Sequence, residues 1–365
     1  MCSKHLDNVT TRDVIHGKMT EDSSPASHLS VAMATTCTTT SSSPRRVEFY
    51  FQCAILVIAL VATAGNGLVL YALFASKQHQ KDILIVHQNI VELFTSSVTL
   101  LIYLLKFCNI YLTGSVGYWL CALFLGESLL WWGTYASVIN LGIITVDRYL
   151  KVVHPVWSKN KIKNWMLYSA MAIAWIIPFI ACVVGRIPTT KVIDGVCYGW
   201  LNFVSYAARI IFFIWLIFSF YILMIFIFVF CYWRILIVVR RQARVMTGHS
   251  AAGPSAGQAQ LNQMQTNVIK TMVLVSALYA ISWTPLYICV MISYVYPYPI
   301  EWLAMYYSTT IIAFSYMFTN PFIYATKFDP VKQVLIRMIT CTKQNTTLEQ
   351  GRSTSQRGGS EVAPV

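Results

Sequence analysis

Three adjacent residues, Asp147, Arg148 and Tyr149, place two opposite charges at the end of a long apolar segment. A charged side chain at the centre of a bilayer costs about 2.5–3.5 kcal/mol or more, so ionisable residues at membrane depth usually have a function. Pairing with Asp147 lowers the cost of holding Arg148 there. The triplet therefore indicates a polar switch where hydrocarbon ends and cytoplasm begins. The alternative is an arginine that only extends its side chain to the lipid headgroups.

Two glutamates also lie within apolar sequence. Glu92 is the most deeply placed acid, and a buried carboxyl needs polar partners. Glu127 lies about one helical turn outside Trp131, where a carboxylate is costly unless it faces water or a cation. We expect Glu127 to contact a basic group of a ligand. A structural partner such as Lys106 or Arg209 is the alternative.

The composition indicates which elements must hold these residues. The chain is 56% hydrophobic and 11% charged, with a mean hydropathy of +0.58. Soluble domains carry about 25% charged residues, so the chain is expected to be a membrane protein. Its net charge is +13, but the basic residues are scattered through short loops, which argues against nucleic-acid binding. The ten cysteines form no CxxC pair, so no metal site is expected.

Seven segments are apolar for long enough to cross a bilayer, which takes about 20 residues each. At these lengths only a helix satisfies its own backbone hydrogen bonds in lipid. The predicted fold is therefore all-α, an integral membrane bundle of seven helices with an eighth, interfacial helix. We number the segments as spans 1 to 7, which cover residues 50–75, 83–105, 119–150, 165–184, 208–239, 267–294 and 302–326.

Lysine and arginine are concentrated in the loops after spans 1, 3 and 5, which predicts that these loops are cytoplasmic. Residues 1–48 should form an extracellular Ser/Thr-rich tail and residues 49–326 the bundle. Residues 327–341 should form the interfacial helix on membrane lipid, and residues 342–365 a disordered cytoplasmic tail. We expect a multi-pass protein of the plasma membrane with an extracellular N-terminus.

The tails and one loop carry further signals. Asn8 begins an Asn-Val-Thr sequon on the accessible side, whereas the sequon at Asn345 should stay bare in the cytoplasm. Cys341 is a candidate for palmitoylation, and an unmodified thiol is the alternative. Glycines and Pro254 predict a flexible linker over residues 247–259.

Five motifs occur in register along the spans. They are Gly65-Asn66 in span 1, Asp147-Arg148-Tyr149 with His154-Pro155 after span 3, Trp175 in span 4, Ser282-Trp283-Thr284-Pro285 in span 6 and Asn320-Pro321-Phe322-Ile323-Tyr324 in span 7. In this order and spacing the chain resembles the rhodopsin-like (class A) G-protein-coupled receptors over about residues 50–340. The resemblance implies a receptor, not an enzyme, that acts on a heterotrimeric G protein.

The resemblance implies a switching role for residues in spans 3, 5, 6 and 7. Arg148 should release Asp147 on activation and reach toward Tyr232 and the G protein. Pro285 and Pro321 each remove a helical hydrogen bond, which creates kinks about which a segment can swing; either proline alone would mean little. The expected switch residues are Asp147, Arg148, Tyr149, Tyr232, Trp283, Pro285, Asn320, Pro321 and Tyr324.

Members of this family hold a sodium ion beside an acid in span 2, the place that Glu92 occupies here. Ser137 and Asn320 fit the role of partners, and Asn66 completes the expected polar core. The alternative is a neutral Glu92 carboxyl bonded to Asn66 and Asn320. Three other positions depart from the polar residues expected there: Gly133, Tyr316 and Met317.

The resemblance also implies a disulfide between Cys121 and Cys197, because the family has a bridge at this place. Cys108 is an alternative partner. An oxidising exterior permits such a bond. Cys121 and Asp147 are 26 positions apart, two more than the family usually shows. The extra residues predict a bulge or an extended outer turn in span 3.

Two further departures concern spans 5 and 6. Met224 stands where the family commonly has proline, so the kink of span 5 is expected to be absent. Gln265 replaces the acid that often restrains the span 3 arginine. The resting state should therefore be held less firmly, and we expect basal signalling that Arg148→Ala abolishes.

The ligand is expected to be a peptide, because the outer loops are short and leave the cavity open. Amine receptors of the family carry aspartate where Leu130 stands, and no lysine for retinal lies between Lys270 and Lys327. No cofactor other than sodium is expected. A transporter or channel is the competing function, although paired broken helices in repeated halves are not evident. The expected ligand pocket consists of Glu127, Leu130, Trp131, Trp283, Tyr287 and Phe314.

Overall fold

All seven predicted spans are helical. The computed structural model describes residues 42–77, 83–199, 202–248, 256–295, 301–327, 331–338 and 340. The predicted sites at Asn8 and Cys341, and most of both tails, lie outside these residues.

Four spans are uninterrupted helices and three contain a π-helical segment. Spans 1, 2, 6 and 7 are Ser42–Ala75, Ile83–Phe107, Ala256–Val295 and Glu301–Lys327. Span 3 consists of Gly114–Leu120, the π-helix Cys121–Leu125 and Ser128–Val153. Span 4 consists of Asn164–Phe179 and the π-helix Ile180–Val184. Span 5 consists of Tyr206–Ile217, the π-helix Phe218–Ile222 and Leu223–Gly248. By length and composition, six of these described spans can cross a membrane, and span 7 falls outside that set.

The other described elements are short. A helix at Pro155–Lys161 follows span 3, and a 3₁₀ turn at Ile187–Thr189 follows span 4. The strands β1 (Lys191–Ile193) and β2 (Val196–Tyr198) form an antiparallel hairpin between spans 4 and 5. Residues 331–338 are helical, and Val331 at their start is buried against the bundle.

Apolar side chains cover the outside of the bundle as well as filling its centre. Span 5 is the extreme case, since only 11% of its most apolar stretch is buried. Phe226 and Trp233 project outward with 66% and 65% of their surface exposed. An apolar surface of this extent is unfavourable in water and matches lipid hydrocarbon.

Two glycines let neighbouring spans approach closely. A Cβ added at Gly65 would lie 3.1 Å from the ring of Pro321, so span 1 packs directly on the proline of span 7. A Cβ at Gly133 would lie 2.3 Å from Thr95 Oγ1, so span 3 packs as closely on span 2. Small residues play this role widely in membrane helix packing.

Spans 5 and 6 extend farther than predicted. Span 5 continues to Gly248 and span 6 begins at Ala256, so the expected flexible linker is helical at both of its ends. The 40 residues of span 6 make a rod about 60 Å long at 1.5 Å per residue. That is about twice the hydrocarbon thickness, so span 6 projects beyond the bilayer.

Candidate functional site

A cavity of about 810 Å³ opens between the spans at the end of the bundle that carries Cys121, which we call the disulfide end. Its volume lies in the range of about 300–1,000 Å³ that is usual for small-molecule sites. Four of the six predicted pocket residues line it: Glu127, Trp131, Tyr287 and Phe314. Its wall includes charged side chains of both signs, Glu48, Lys106, Glu127 and Arg186.

The other two predicted pocket residues, Leu130 and Trp283, do not line the cavity. Neighbouring residues on a helix point about 100° apart, so Trp131 faces the cavity while Leu130 is fully buried in the apolar core. Trp283 lies behind the wall, with its ring 6.0, 5.8 and 6.2 Å from those of Trp131, Tyr287 and Phe314. A ligand would therefore reach Trp283 through these three rings.

Glu127 already has a cationic partner within the protein. Its Oε1 lies 2.5 Å from Lys106 Nζ, so the structural alternative considered for this residue is the one observed. Arg209, the other alternative, lies over the ring of Tyr206. A basic ligand group would compete with Lys106 for the carboxylate.

The predicted irregularity in span 3 is confirmed. The N–H of Gly126 bonds to the carbonyl of Cys121 at 2.7 Å and closes the π-helical turn. Glu127 then adopts φ 66°, in the left-handed region that side chains other than glycine rarely occupy. The extra residues between Cys121 and Asp147 are absorbed here, and the turn brings the Glu127 carboxylate to the cavity.

The predicted disulfide between Cys121 and Cys197 is present. It ties strand β2 to the π-helix of span 3, and this keeps the hairpin over the cavity, where Gly195 and Val196 contribute to the wall. Cys108 is a free, exposed thiol.

Glu92 lies at the centre of a buried polar core formed by spans 2, 3 and 7. Its Oε1 accepts hydrogen bonds from Ser137 Oγ at 2.5 Å, Asn320 Nδ2 at 2.9 Å and Gln88 Nε2 at 3.1 Å. Asn66 does not reach Glu92 as expected, because its amide donates to the carbonyls of Ala62 and Met317.

The groups that contact Glu92 Oε1 offer a cation one hydroxyl oxygen and two amide nitrogens. Hard cations are bound by oxygen lone pairs, whereas two of the three partners of Glu92 Oε1 are amide nitrogens. Gly133 contributes no ligand, and the hydroxyl of Thr95 that packs against it donates to the carbonyl of Val91 at 2.7 Å.

Spans 5 and 6 are joined at the π-helix of span 5. Tyr279, where the family usually has phenylalanine, donates its hydroxyl proton to the carbonyl of Phe220 at 3.1 Å. Tyr221 bonds to Thr284, one residue before Pro285. This π-helix thus supplies an irregularity near Met224, where the expected proline is absent.

The opposite end of the bundle, which we call the Arg148 end, holds the charged triplet. Asp147 Oδ2 lies 3.9 Å from Arg148 Nε and only 2.8 Å from Lys151 Nζ. Asp147 therefore divides its charge between two cations, and the one outside the motif lies nearer. The side chain of Gln265 lies outside the described residues.

Tyr232 bridges spans 3, 5 and 6 close to this triplet. Its hydroxyl lies 3.0 Å from Thr145 Oγ1 and 3.2 Å from Ser276 Oγ. Tyr149 packs edge-on against His154, and Tyr324 in span 7 is fully buried. The structure thus distributes the expected switch residues along the bundle from the cavity to the Arg148 end.

Several residues of these sites were not predicted, although helical spacing could have revealed two of them. Lys151 follows Asp147 by four residues and Gln88 precedes Glu92 by four, and such pairs share a helix face. The contacts made by Thr145 and Ser276 cross between spans, and no local pattern indicates them.

Comparisons with known proteins agree with this architecture. The family model for the 7 transmembrane receptor (rhodopsin family) matches residues 65–324. The chain is 33% identical over 133 residues to the probable G-protein coupled receptor 33 of Rattus rattus, a match that covers 36% of this chain and only 38% of that relative. It is 23% identical to the somatostatin receptor type 5 of Rattus norvegicus over 83% of this chain and 80% of the relative. The adenosine receptor A2a of Canis lupus familiaris is 22% identical over 78% and 70%.

A solved structure shows the same fold. Squid rhodopsin superposes with a TM-score of 0.65 at 17% sequence identity, over 83% of this chain and 89% of that one. The fold thus defines a multi-pass membrane protein of seven helices. The chain belongs to the rhodopsin family of seven-transmembrane receptors, as its motifs indicated.

Proposed function

We propose that the protein is a plasma-membrane receptor that converts the binding of an extracellular ligand into activation of a heterotrimeric G protein. The observation that carries the proposal is the position of Trp283. This ring contacts three side chains of the cavity wall and lies two residues before Pro285 in the same helix. A ligand in the cavity can therefore act on the part of span 6 that a proline kink allows to swing.

Movement of span 6 would be transmitted to the Arg148 end. Tyr232 contacts span 6 through Ser276 and span 3 through Thr145, so an outward swing of span 6 breaks one of its bonds. Arg148 then leaves Asp147 and, with Tyr232, helps to form a cleft for the G protein. A ligand drives this change only by its difference in affinity for the two states.

We further propose that the ligand is a peptide. The cavity wall combines acidic and basic side chains with aromatic rings, and a peptide offers partners for all three through its termini and side chains. A basic ligand group that displaces Lys106 would pair with Glu127. Two relatives matched over most of the chain are named for adenosine and somatostatin, so the comparisons favour no single ligand class.

The loops at the Arg148 end are proposed to be cytoplasmic, since they are rich in lysine and arginine. These side chains would flank the G-protein cleft and contact anionic lipid headgroups. The residues are Lys159, Lys161, Lys163, Arg240, Arg241 and Arg244.

The test is nucleotide exchange by purified G proteins of each subtype, with the receptor reconstituted in lipid. We expect basal exchange on at least one subtype and an increase with some members of a peptide library. Arg148→Ala should abolish both, whereas Arg337→Ala, which removes an exposed arginine of the 331–338 helix, should leave basal exchange in place. Flux of a labelled solute with no exchange on any subtype would instead support a transporter.

A further inference from the structure

Glu92 ends a chain of hydrogen bonds that begins at Trp175 in span 4. Trp175 Nε1 lies 2.9 Å from His87 Nε2, and His87 Nδ1 lies 2.8 Å from Asn140 Oδ1. Asn140 Nδ2 lies 2.8 Å from Gln88 Oε1, and Gln88 reaches Glu92. The chain connects spans 4, 2 and 3, and both of its carboxamides are fully buried.

The direction of hydrogen bonding along this chain is decided at Trp175. An indole N–H can only donate, so His87 Nε2 must accept and the neutral ring must donate through Nδ1–H to Asn140 Oδ1. Asn140 then presents its N–H to Gln88 Oε1, and Gln88 presents its own N–H to Glu92. Rotating either carboxamide by 180° would place a donor against a donor or an acceptor against an acceptor. The hydrogen-bond partners therefore assign the orientation of both amides.

The consequence is that donors converge on one carboxyl oxygen. The Gln88 amide donates to Ser137 Oγ at 2.8 Å as well as to Glu92. Because the Ser137 oxygen accepts from Gln88, its hydroxyl proton is directed to Glu92 Oε1. Asn320 adds a third donor from span 7.

We propose that Trp175 is a positioning residue that acts through His87, Asn140 and Gln88 to hold hydrogen-bond donors on Glu92, in the place of the sodium ion used by the family. A cation at Glu92 Oε1 would meet the N–H groups of Gln88 and Asn320 where it needs oxygen lone pairs. Hydrogen bonds in a buried chain also polarise one another, which strengthens the arrangement. The proposal rests on the polar core alone and is independent of the ligand class.

The test is thermal unfolding of the full-length receptor in lipid nanodiscs, with sodium chloride exchanged for N-methylglucamine chloride at constant ionic strength. The wild-type midpoint should be the same in both salts. Trp175→Phe keeps the ring and removes the N–H, so Gln88 is free to turn its carbonyl toward Glu92. We expect this variant to gain a saturable rise in midpoint with sodium.

Trp132→Phe is the matched control. Trp132 Nε1 donates to the Trp175 carbonyl at 2.9 Å, so this variant loses an equivalent bond outside the chain and should stay insensitive to sodium. Gln88→Met removes the amide directly, and its unfolding midpoint should also become dependent on sodium. If Trp175→Phe does not fold, the result with Gln88→Met alone tests the proposal. Saturable stabilisation of the wild type by sodium would overturn the proposal. So would sodium independence of Gln88→Met, or of Trp175→Phe where that variant folds.

Discussion

At the scale of single residues, Asp147 lies closer to Lys151 than to its neighbour Arg148. Its Oδ2 is 2.8 Å from Lys151 Nζ and 3.9 Å from Arg148 Nε. Lys151 is itself half-exposed, so its pairing with Asp147 is shared with water. The competition gives a structural reason to expect basal signalling that does not involve Gln265.

Removing the competing cation should strengthen the restraint. We expect Lys151→Gln to lower basal nucleotide exchange about twofold, because a partly exposed ion pair contributes about 0.2–1 kcal/mol. Asp147→Asn should raise it. Lys332→Gln removes an exposed lysine of the 331–338 helix and serves as the control. A rise in basal exchange with Lys151→Gln would contradict this account of Asp147.

Tyr279 is a second residue whose departure from the family pattern has a structural role. Its hydroxyl is held by the carbonyl of Phe220. Phe220 lies in the π-helix Phe218–Ile222, so the bond reaches span 5 at its irregular turn. The bond therefore fastens span 6 to span 5, one turn from Trp283.

We expect Tyr279→Phe to loosen this connection. Loss of one hydrogen bond costs about 1 kcal/mol, so the midpoint of thermal unfolding should fall and basal exchange should rise by up to about fivefold. Tyr316→Phe is the control, because it removes a nearby hydroxyl that contacts Asn320 and not span 5. This variant should leave basal exchange nearly unchanged. Equal basal exchange in wild type and Tyr279→Phe would refute the role of the bond.

At the scale of elements, the break in span 3 decides where the cavity charges lie. The helix restarts at Ser128 after Glu127 adopts a left-handed conformation. A non-glycine residue in this region costs about 1 kcal/mol or more and persists only where its surroundings hold it. Here Glu127 is ion-paired with Lys106, and Cys121 at the start of the π-helix is held by the disulfide.

Two substitutions of Glu127 distinguish the effect of losing the ion pair with Lys106 from the free-energy cost of the positive φ at this residue. Both Glu127→Gln and Glu127→Gly remove the charge, but only glycine adopts a positive φ without strain. We expect Glu127→Gly to be the more stable by about 1 kcal/mol, measured by thermal unfolding. The same pair at exposed, helical Val116 should show the opposite order, because glycine destabilises a regular helix. A lower midpoint for Glu127→Gly than for Glu127→Gln would argue against backbone strain.

At the scale of the whole molecule, the orientation of the bundle in the membrane decides whether the cavity is open to the outside of the cell. The basic loops predict that the disulfide end faces outward. The presence of a disulfide at that end is consistent with an oxidising compartment.

Glycosylation offers a direct test of this orientation. Treatment with an N-glycosidase should shift the electrophoretic mobility of the receptor expressed in animal cells. Asn8→Gln should abolish the shift, whereas Asn345→Gln, at the sequon on the other side, should retain it. A shift that depends on Asn345 would mean that the orientation is reversed.

The sequence by itself determined the number of spans, the receptor family and the positions of the charged groups. Stretches of about 20 apolar residues can only be helices in lipid, and a charge such as Arg148 is identifiable because it is costly there. The disulfide, the irregularity before Ser128 and four of the six predicted pocket residues followed from the family pattern and its spacing.

Only the tertiary structure decided which partners these groups take. Glu127 pairs with Lys106 within the cavity wall, Asn66 donates to backbone carbonyls and not to Glu92, and Leu130 faces the core instead of the cavity. Each outcome depends on how one helix is rotated against another, which a local periodicity does not specify. The direction of the hydrogen bonds that reach Glu92 depends in turn on Trp175, which lies 83 positions further along the chain. The donor-only indole of Trp175 can set this direction only because folding brings the connecting residues into contact.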